Sequence, residues 1–485
     1  MPACRQLLLF QPRTETPGAH WHVCAALIAL LLTGCVPERP LNIVLIVTDD
    51  QGWADLGSYG ARDLDTPNLD RLAAEGIRFT NYYASNAACS PSRAALLTGM
   101  YPMRVGLPGV LMPQSNAGLN PAERTLAEML RDLGYRTAAI GKWHLGHHPE
   151  HLPVNHGFES YFGIPYSNDM TPDSTKNPNP YARNHPPLPL VENDRTIEVE
   201  PDQRLLTRRY TERATTFIET HRDEPFFLYM AHTFPHMPLF VSDDFAGQSR
   251  RGLYGDVIME IDASTGTIMD ALERHNLTHH TLIIFTSDNG PWLVKAPFAG
   301  SAGPFREGKG TTFEGGHRVP LILRWPARIP AGQVSDAMVL AMDLMPTIAA
   351  LTEAPPGPYP FDGKDLMPTI DGGPTPHEAF FYYRGRALEA VRSGPWKLHV
   401  PHLFRSIHGA TLVTPTHPGT YRQDSTDLAL YDLAADPGET RNLAGDHPDV
   451  VDHLLTLMET ARQDLGDSRT GVQGSNIRAS ARVTH

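Results

Sequence analysis

Short, continuous apolar runs alternate with longer segments of helical periodicity from residue 41 onward. Residues 42–47 are almost entirely apolar and rich in β-branched side chains, as in a strand that is buried on both faces. Comparable runs at 136–140, 225–230 and 281–286 each follow a segment with helical spacing. Helices between such strands indicate a mostly parallel sheet that is covered on both faces. The pattern therefore predicts an α/β fold.

The segments between these strands predict helices at 68–76, 123–133, 204–221 and 254–275. Residues 168–199 differ from them, because they are rich in Pro and Asn and show little periodicity. A long irregular segment inside a compact domain commonly forms a lid or a substrate wall, and we predict that role here.

The pattern changes after residue 352, where Pro355-Pro356-Gly357-Pro358 interrupts it. Short strand-like segments follow at 380–383, 388–392, 396–400 and 428–433, before a helix at 449–463. We predict a small α+β domain with an antiparallel sheet. The expected organisation is a large domain at 41–352, a C-terminal domain at 353–470 and a polar tail at 471–485.

An apolar segment at 21–32 precedes the first strand. It is too short to span a bilayer comfortably, but it fits the central region of a signal peptide. It ends in Leu32-Thr33-Gly34-Cys35, which resembles the lipobox of bacterial lipoproteins, in which the cysteine is acylated. We therefore predict a lipoprotein-type signal peptide at 1–35. The protein is expected to be exported to the periplasm or cell envelope of a bacterium, with a membrane association only through a lipid anchor at Cys35.

The composition excludes some classes of function. The 485 residues are 41% hydrophobic and 8% aromatic, as in a globular protein, and carry a formal net charge of −13. This charge and the lack of Lys/Arg-rich runs argue against a nucleic-acid partner. The chain has four cysteines, and only Cys35 and Cys89 would remain after the signal peptide is removed. Cys89 is therefore not part of an intrachain disulfide framework.

Reactive side chains follow four of the predicted strands. The motifs, in chain order, are Asp49-Asp50, Gly141-Lys142-Trp143-His144, His236-Met237-Pro238 and Ser287-Asp288-Asn289-Gly290. Ligands of open α/β sheets bind at the carboxyl ends of the strands, so we expect these residues at one site. Three carboxylates and one amide oxygen suit a single hard cation such as Ca²⁺ or Mg²⁺. A two-zinc centre, which uses more histidines, fits less well.

Cys89-Ser90-Pro91-Ser92-Arg93 predicts the start of a helix, because Pro is favoured in the first turn. Free backbone N–H groups and the helix dipole suit an anion at that position, and Arg93 can point back toward it. The Gly-rich segment 307–316 allows Lys309 to approach closely. With Lys142 and two histidines, these groups predict a cradle for a tetrahedral oxyanion ester.

These motifs resemble the type I sulfatase family, most closely the branch of arylsulfatase A and N-acetylgalactosamine-6-sulfatase. The signature Cys-x-Pro-x-Arg at 89–93 and the blocks at 141–144, 163–167, 236–238, 288–290 and 308–311 occur in the family's order. The resemblance extends from residue 42 to about residue 400. It implies an alkaline-phosphatase-like domain with a mixed, mostly parallel sheet, and hydrolysis of a sulfate ester, with a sulfated carbohydrate as one candidate substrate.

The resemblance also implies the nucleophile and the metal centre. A formylglycine-generating enzyme oxidises Cys89 to formylglycine before folding, and one hydroxyl of the hydrated aldehyde attacks sulfur. Arg93 and the cation stabilise that hydroxyl in its ionised form. The ligands of one divalent cation, Ca²⁺ in preference to Mg²⁺, are Asp49, Asp50, Asp288, Asn289 and the modified Cys89.

The other site residues receive their roles from the same resemblance. Lys142 and Lys309 hold the sulfate oxygens. His236 is the acid for the leaving alcohol, and His144 is the base that restores the aldehyde. Ser167 supports them as a hydrogen-bond donor.

Two alternative functions stay open on the sequence alone. A phosphodiester or phosphonate monoester hydrolase is one, because related enzymes use the same aldehyde and phosphate has the shape of sulfate. A non-catalytic sulfoglycan-binding protein is the other, and it requires that Cys89 is not converted.

Overall fold

The strands predicted as parallel lie at the centre of a ten-stranded sheet. The computed structural model of the chain describes residues 39–172, 184–414 and 417–483. Its strands are β1 (Asn42–Thr48), β2 (Ile77–Phe79), β3 (Tyr82–Tyr83), β4 (Ala117–Gly118), β5 (Arg136–Gly141), β6 (Ser160–Gly163), β7 (Pro189–Glu192), β8 (Arg195–Val199), β9 (Phe226–Ala231), β10 (Thr281–Ser287), β11 (Leu321–Arg324), β12 (Gln333–Ser335), β13 (Val339–Leu340), β14 (Phe380–Arg384), β15 (Ala387–Ser393), β16 (Trp396–His399), β17 (His402–Thr411), β18 (Thr420–Thr426), β19 (Ala429–Asp432) and β20 (Ala481–Arg482).

Each predicted α-helix is present, with bounds within a few residues of the expected ones, whereas the short helices at 314–317, 344–351 and 367–370 were not predicted. The α-helices are α1 (Pro67–Ala74), α2 (Cys89–Thr98), α3 (Leu126–Asp132), α4 (Leu206–Thr220), α5 (Gly252–Arg274), α6 (Glu314–His317), α7 (Leu344–Leu351), α8 (Met367–Ile370) and α9 (Pro448–Leu465). The start of α3 shows why a helix can begin a few residues away from its predicted start. Thr125 caps it, because the Thr125 hydroxyl accepts from the Glu128 N–H at 3.1 Å and the Glu128 carboxylate accepts from the Thr125 N–H at 2.8 Å.

The large sheet has the order β12-β2-β11-β10-β1-β9-β5-β6-β7-β8. The pairs β10/β1, β1/β9, β9/β5 and β5/β6 are parallel, whereas β11 and the β7–β8 hairpin run antiparallel to their neighbours. Side chains of β1 alternate between two hydrophobic cores: Ile43 and Leu45 enter one, and Val44 and Ile46 enter the other. Both faces of β1 are therefore buried, which explains its continuous apolar run. The predicted α/β class with a mixed, mostly parallel sheet is confirmed.

The C-terminal region contains the predicted antiparallel sheet, with the order β14-β15-β16-β19. Helix α9 packs on it, and Leu454 and Met458 share a core with Leu398 and Leu430. This α+β arrangement confirms the predicted C-terminal fold. The boundary at residue 352 stays a prediction.

The β17–β18 hairpin is a difference from the prediction, since no strand was expected at 402–411 or 420–426. Along the start of β17, His402, Phe404 and Ser406 are buried, whereas Leu403 and Arg405 are exposed. The buried positions are thus partly polar and one exposed position is apolar. The apolar alternation that marks an ordinary half-buried strand is therefore missing.

The prediction of a continuous irregular segment at 168–199 is wrong in part, because β7 and β8 extend the large sheet there. Residues 173–183 of that segment lie outside the described residues, as do the predicted signal peptide and Cys35. The polar tail is held in place: β20 pairs with β4, and Arg478 Nε lies 2.6 Å from the Glu123 carboxylate. Within the described ranges, every helix is too short or too polar to cross a membrane.

Candidate active site

Parallel pairing brings the predicted metal ligands together. Thr48 at the end of β1 is the register partner of Ser287 at the end of β10. The residues that follow, Asp49-Asp50 and Asp288-Asn289, therefore leave the sheet side by side, and the Asp50 N–H donates to Asp288 Oδ1 at 3.2 Å. The sheet register alone thus places both acidic motifs at one edge, as the sequence predicted.

Strands β9 and β5 bring the basic residues to the same edge. The Lys142 N–H donates to the Ala231 carbonyl at 2.8 Å, which joins the ends of the two strands. Gly141 makes this contact possible: its φ is +107°, and a Cβ on it would lie 1.8 Å from the Ala231 oxygen. The glycine in the Gly-Lys-Trp-His motif therefore positions Lys142 and His144.

The acidic residues and the cysteine form one buried cluster. Ligand atoms of Asp49, Asp50, Cys89 and His236 all lie within 4.8 Å of one another. Cys89 is the first residue of α2 and is only 2% exposed, and its Sγ is 3.4 Å from Asp49 Oδ1. The helix N-terminus and the carboxylates meet at this sulfur, as predicted.

The other two predicted ligands contact this cluster from β10. Asn289 Nδ2 donates to Asp50 Oδ1 at 2.7 Å, and among the described residues Asn289 Oδ1 is buried without a hydrogen-bond partner. Asp288 is held by Arg93, whose Nε and terminal nitrogen lie 2.9 and 2.8 Å from Asp288 Oδ2. All five predicted ligands are therefore in one place. His236 lies at the same site, as the sequence predicted, and it is also close enough to be a further possible ligand, which was not predicted.

Three cations compensate these carboxylates: Arg93 and Lys142, which are fully buried, and Lys309, whose side chain is 13% exposed. Lys142 Nζ lies 2.5 Å from Asp49 Oδ2, and Lys309 Nζ lies 2.7 Å from Asp50 Oδ1 and 3.4 Å from Cys89 Sγ. Burial opposes the ionisation of Asp49, but Lys142 and other cations hold the pKa of that carboxyl below its ordinary value. Burial raises the pKa of Asp50 to about 7. Positive charge is thus concentrated in the site of a protein that is acidic overall.

The two histidines are fixed in defined tautomers by backbone carbonyls. His236 Nδ1 lies 2.6 Å from the Met237 carbonyl, and its Nε2 lies 3.6 Å from Asp50 Oδ2. His144 Nε2 lies 3.0 Å from the Leu111 carbonyl, and its Nδ1 is buried with no hydrogen-bond partner in the described ranges. A carbonyl only accepts, so His236 carries its proton on Nδ1 and His144 carries it on Nε2. Burial lowers the pKa of both rings.

Ser167 lies between Lys142 and His236. Its Oγ is 3.1 Å from Lys142 Nζ and 3.4 Å from the His236 ring.

Sequence reasoning missed two supporting residues. Glu307, at a φ of +56°, accepts hydrogen bonds at 2.8 Å from both the Ser406 hydroxyl and the Ile407 N–H, which fixes the segment before Lys309. Trp292 lies against His236, and only its place three residues after Asn289 could have indicated this.

Comparison with known proteins agrees with this geometry. The sulfatase family model matches residues 41–354, and the model of the C-terminal region of aryl-sulfatase matches residues 375–482. Arylsulfatase A of Homo sapiens is 42% identical over 457 residues, which cover 89% of this chain and 90% of that protein. N-acetylgalactosamine-6-sulfatase of Canis lupus familiaris is 42% identical over 465 residues, which cover 91% and 89%. The crystal structure of a Pseudoalteromonas sp. sulfatase has a TM-score of 0.76 at 28% identity, covering 87% of this chain and 90% of that chain.

The chain therefore belongs to the sulfatase family, and it is a sulfuric ester hydrolase. This confirms the predicted family, enzyme class and substrate class. Sulfatases use a metal ion and a formylglycine made from cysteine, and the cluster around Asp49, Asp50, Cys89 and His236 can hold a metal ion. The individual roles of the site residues stay predictions.

Proposed function

We propose that this protein is an exported enzyme that hydrolyses a sulfate ester of a saccharide, with formylglycine at position 89 and one bound Ca²⁺. The observation that carries the proposal is the place of Cys89, buried at a helix N-terminus with its Sγ 3.4 Å from both Asp49 Oδ1 and Lys309 Nζ. The similarity to N-acetylgalactosamine-6-sulfatase supports a sulfated sugar as the substrate.

The side chains in the cluster fit both the cation and the modified residue. The oxygen atoms of Asp49, Asp50, Asp288 and Asn289 would hold the cation, and the buried, unpartnered Asn289 Oδ1 supports a ligand at that point. The side chain at position 89 would supply a further oxygen. When bound, the cation and formylglycine supply a Lewis acid and a geminal-diol nucleophile.

The cationic side chains bind and orient the ester. Lys142 and Lys309 each retain N–H donors beyond those used by Asp49 and Asp50, so both can donate to sulfate oxygens. Arg93 orients Asp288, and its Nη1 donates to the Lys142 carbonyl at 2.8 Å. Charge that develops on sulfate in the transition state is stabilised by donors that are already in place.

The two histidines divide the proton transfers. The neutral His236 ring holds its proton on Nδ1, so Nε2, which faces Asp50, must take up a second proton before it can deliver one to the leaving oxygen. Burial and Lys309 lower the pKa of His236, and the negative charge of a bound ester favours its protonated form. His144 has its lone pair on Nδ1, which suits the base that removes a proton from the second hydroxyl at position 89.

Mass spectrometry and kinetics test the proposal together. The peptide that contains position 89 should have the lower mass of an aldehyde rather than a thiol, and the protein should hydrolyse 4-nitrophenyl sulfate faster than phenylphosphonate esters. Faster turnover of the phosphonate would support the hydrolase alternative. An intact thiol with no turnover would support the binding-protein alternative.

The choice of Ca²⁺ rests on the number of side chains that would supply oxygen, four and the modified residue 89, because Mg²⁺ is usually bound through one or two carboxylates and keeps several waters. Metal analysis of the purified enzyme, followed by reactivation of the stripped enzyme with each ion, tests it. Reactivation by Mg²⁺ alone would refute the choice.

Export and anchoring are part of the proposal, and the N-terminal pattern supports them. The exported protein requires a formylglycine-generating enzyme as its maturation partner. Fractionation of bacterial cells should place the protein in the membrane fraction, and Cys35→Ala should release it. A cytosolic location would refute this part.

A further inference from the structure

Trp292 lies beside two residues that act on the substrate. It follows the metal-ligand motif at the end of β10, and its indole ring centroid is 5.5 Å from that of His236. Lys309 Nζ is 4.9 Å from the same indole centroid. Because His236 delivers its proton to the leaving oxygen, the leaving group must lie next to His236. The half-buried indole of Trp292 is therefore within reach of that group.

Lys295 adds a positive charge next to this indole that none of the assigned roles uses. Its Nζ is 4.4 Å from the Trp292 ring centroid and donates to the Pro418 carbonyl at 2.6 Å. In the part of the chain that the structure describes, Lys295 forms no salt bridge within 4 Å. An ammonium group with one carbonyl acceptor retains two N–H donors, so Lys295 can bind an anion.

The charges around Lys295 make an anion a suitable partner. Burial lowers the pKa of Lys295, and Lys309 lowers it further, whereas the Asp169 carboxylate raises it. An added anion would relieve the repulsion between the two lysines. The attraction for an anion is confined to this part of the protein, because the protein as a whole is acidic.

The segment that carries both residues is fixed from the C-terminal side. Residues Leu293–Lys295 form a short 3₁₀-helix, and the β17–β18 hairpin holds it. The Val413 N–H donates to the Val294 carbonyl at 3.1 Å, and the Val294 N–H donates to the Tyr421 hydroxyl at 3.4 Å. Trp292 and Lys295 are thus held in a defined arrangement before any ligand binds.

We propose that Trp292 and Lys295 form a leaving-group subsite that selects sulfate esters of a ring carrying a second negative charge. This rests on the proposed function, since it takes His236 as the residue beside the leaving oxygen. The Trp292 indole contacts the ring, and the Lys295 ammonium binds its second anionic group, a carboxylate or a further sulfate. The substrate class is therefore an acidic saccharide.

Binding to inactive enzyme tests the subsite without turnover. Calorimetry with Cys89→Ala protein would use three probes: N-acetylgalactosamine 6-sulfate, the same ester linked to a glucuronate, and N-acetylgalactosamine 4,6-disulfate. Adding Lys295→Met should weaken binding of at least one of the two doubly charged probes about tenfold, the effect of one charged hydrogen bond, and binding of the singly charged first probe less than twofold. The loss falls on whichever charged probe, carboxylate or sulfate, the subsite takes.

Matched variants separate recognition from structure. Lys295→Arg should retain the preference, the exposed Lys364→Met should change nothing, and Trp292→Leu should weaken all three probes. Equal affinity of the parent Cys89→Ala protein for the singly charged probe and for both doubly charged probes would overturn the subsite, and so would an unchanged preference in Lys295→Met. Turnover of 4-nitrophenyl sulfate, which lacks a second charge, reports separately on the proposed function, and its absence would overturn that function without reference to Lys295.

Discussion

Lys397 is the centre of a buried ion network that joins the C-terminal sheet to the active-site segment. Its Nζ lies 2.9 Å from Glu314 Oε1 and 2.9 Å from Glu439 Oε1, and all three side chains have no exposed surface. Glu314 begins α6, five residues after Lys309, and its N–H donates to Glu439 Oε2 at 2.8 Å. The substitution Lys397→Met keeps the length of the side chain and leaves two buried carboxylates without their shared cation.

The expected loss of stability follows from this burial. Removing one partner of a buried ion pair destabilises a protein by about 3–5 kcal/mol. Unfolding entropy is about 2.1 cal/mol/K per residue, so over residues 41–485 each kcal/mol changes Tm by about 1 °C. We therefore expect scanning calorimetry to show a decrease in Tm of about 3–5 °C if this unit unfolds in one step.

The difference in stability between the wild type and Lys397→Met should grow with pH. Burial opposes ionisation of Glu314, but Lys397 and two arginines hold its pKa below the ordinary 4.5, so its stabilisation is present above that value and is lost as pH falls. In Lys397→Met, burial raises the pKa of the remaining carboxyls. The folded variant then binds more protons than the unfolded chain, and its stability falls as pH rises.

Two measurements would refute this reasoning. The first is a Tm of Lys397→Met equal to that of the exposed control Lys364→Met. The second is a difference in Tm between Lys397→Met and the wild type that does not increase between about pH 5.5 and about pH 8. The difference is expected to increase, because unpaired carboxylates become more destabilising as they ionise.

Three further predictions concern the active site. Glu307→Gln should reduce kcat/KM about tenfold in steady-state assays, because the bonds from Ser406 and Ile407 use both carboxylate oxygens and Gln retains only one accepting oxygen; unchanged kinetics would show that this contact does not position Lys309. Cys89→Ala should abolish turnover of 4-nitrophenyl sulfate with Tm within about 1 °C of the wild type, and residual activity near wild type would contradict the assigned nucleophile. Treatment with a chelator should abolish activity and lower Tm, and Ca²⁺ should restore both; indifference to the chelator would contradict the ligand set.

The sequence alone predicted the parts of the fold and the site that follow from a local pattern of residues. Consecutive apolar residues in β1 and β10 predict strands buried on both faces, and parallel pairing then brings Asp49-Asp50 beside Asp288-Asn289. The position of Cys89 at the start of a helix follows from Pro91 in the first turn. The prediction does not need the identity of the neighbouring strand, because ligands of an open α/β sheet gather at the carboxyl ends of its strands.

The remaining parts depend on contacts between distant segments. The β17–β18 hairpin has partly polar inward positions, because Ser406 faces Glu307 rather than a hydrophobic core. Glu307 itself gives no signal in the sequence, since its φ of +56° and its partners exist only in the folded chain. His236 was predicted at this site, but its contact with Asp50 was not, because the segment after β9 and not a strand register determines that contact.

The C-terminal region contributes to the active site and is not an independent domain in functional terms. The segment around Lys309 is held on one side by the Ser406–Glu307 bond and on the other by Lys397 through Glu314. Both supports come from residues beyond 352, and each fixes a main-chain segment within five residues of Lys309. A donor that acts on a developing charge must be in place before the reaction, because moving it during the reaction would consume the stabilisation it provides. Residues 41–352 hold the reactive groups, and the C-terminal sheet and hairpin hold Lys309 at the required position.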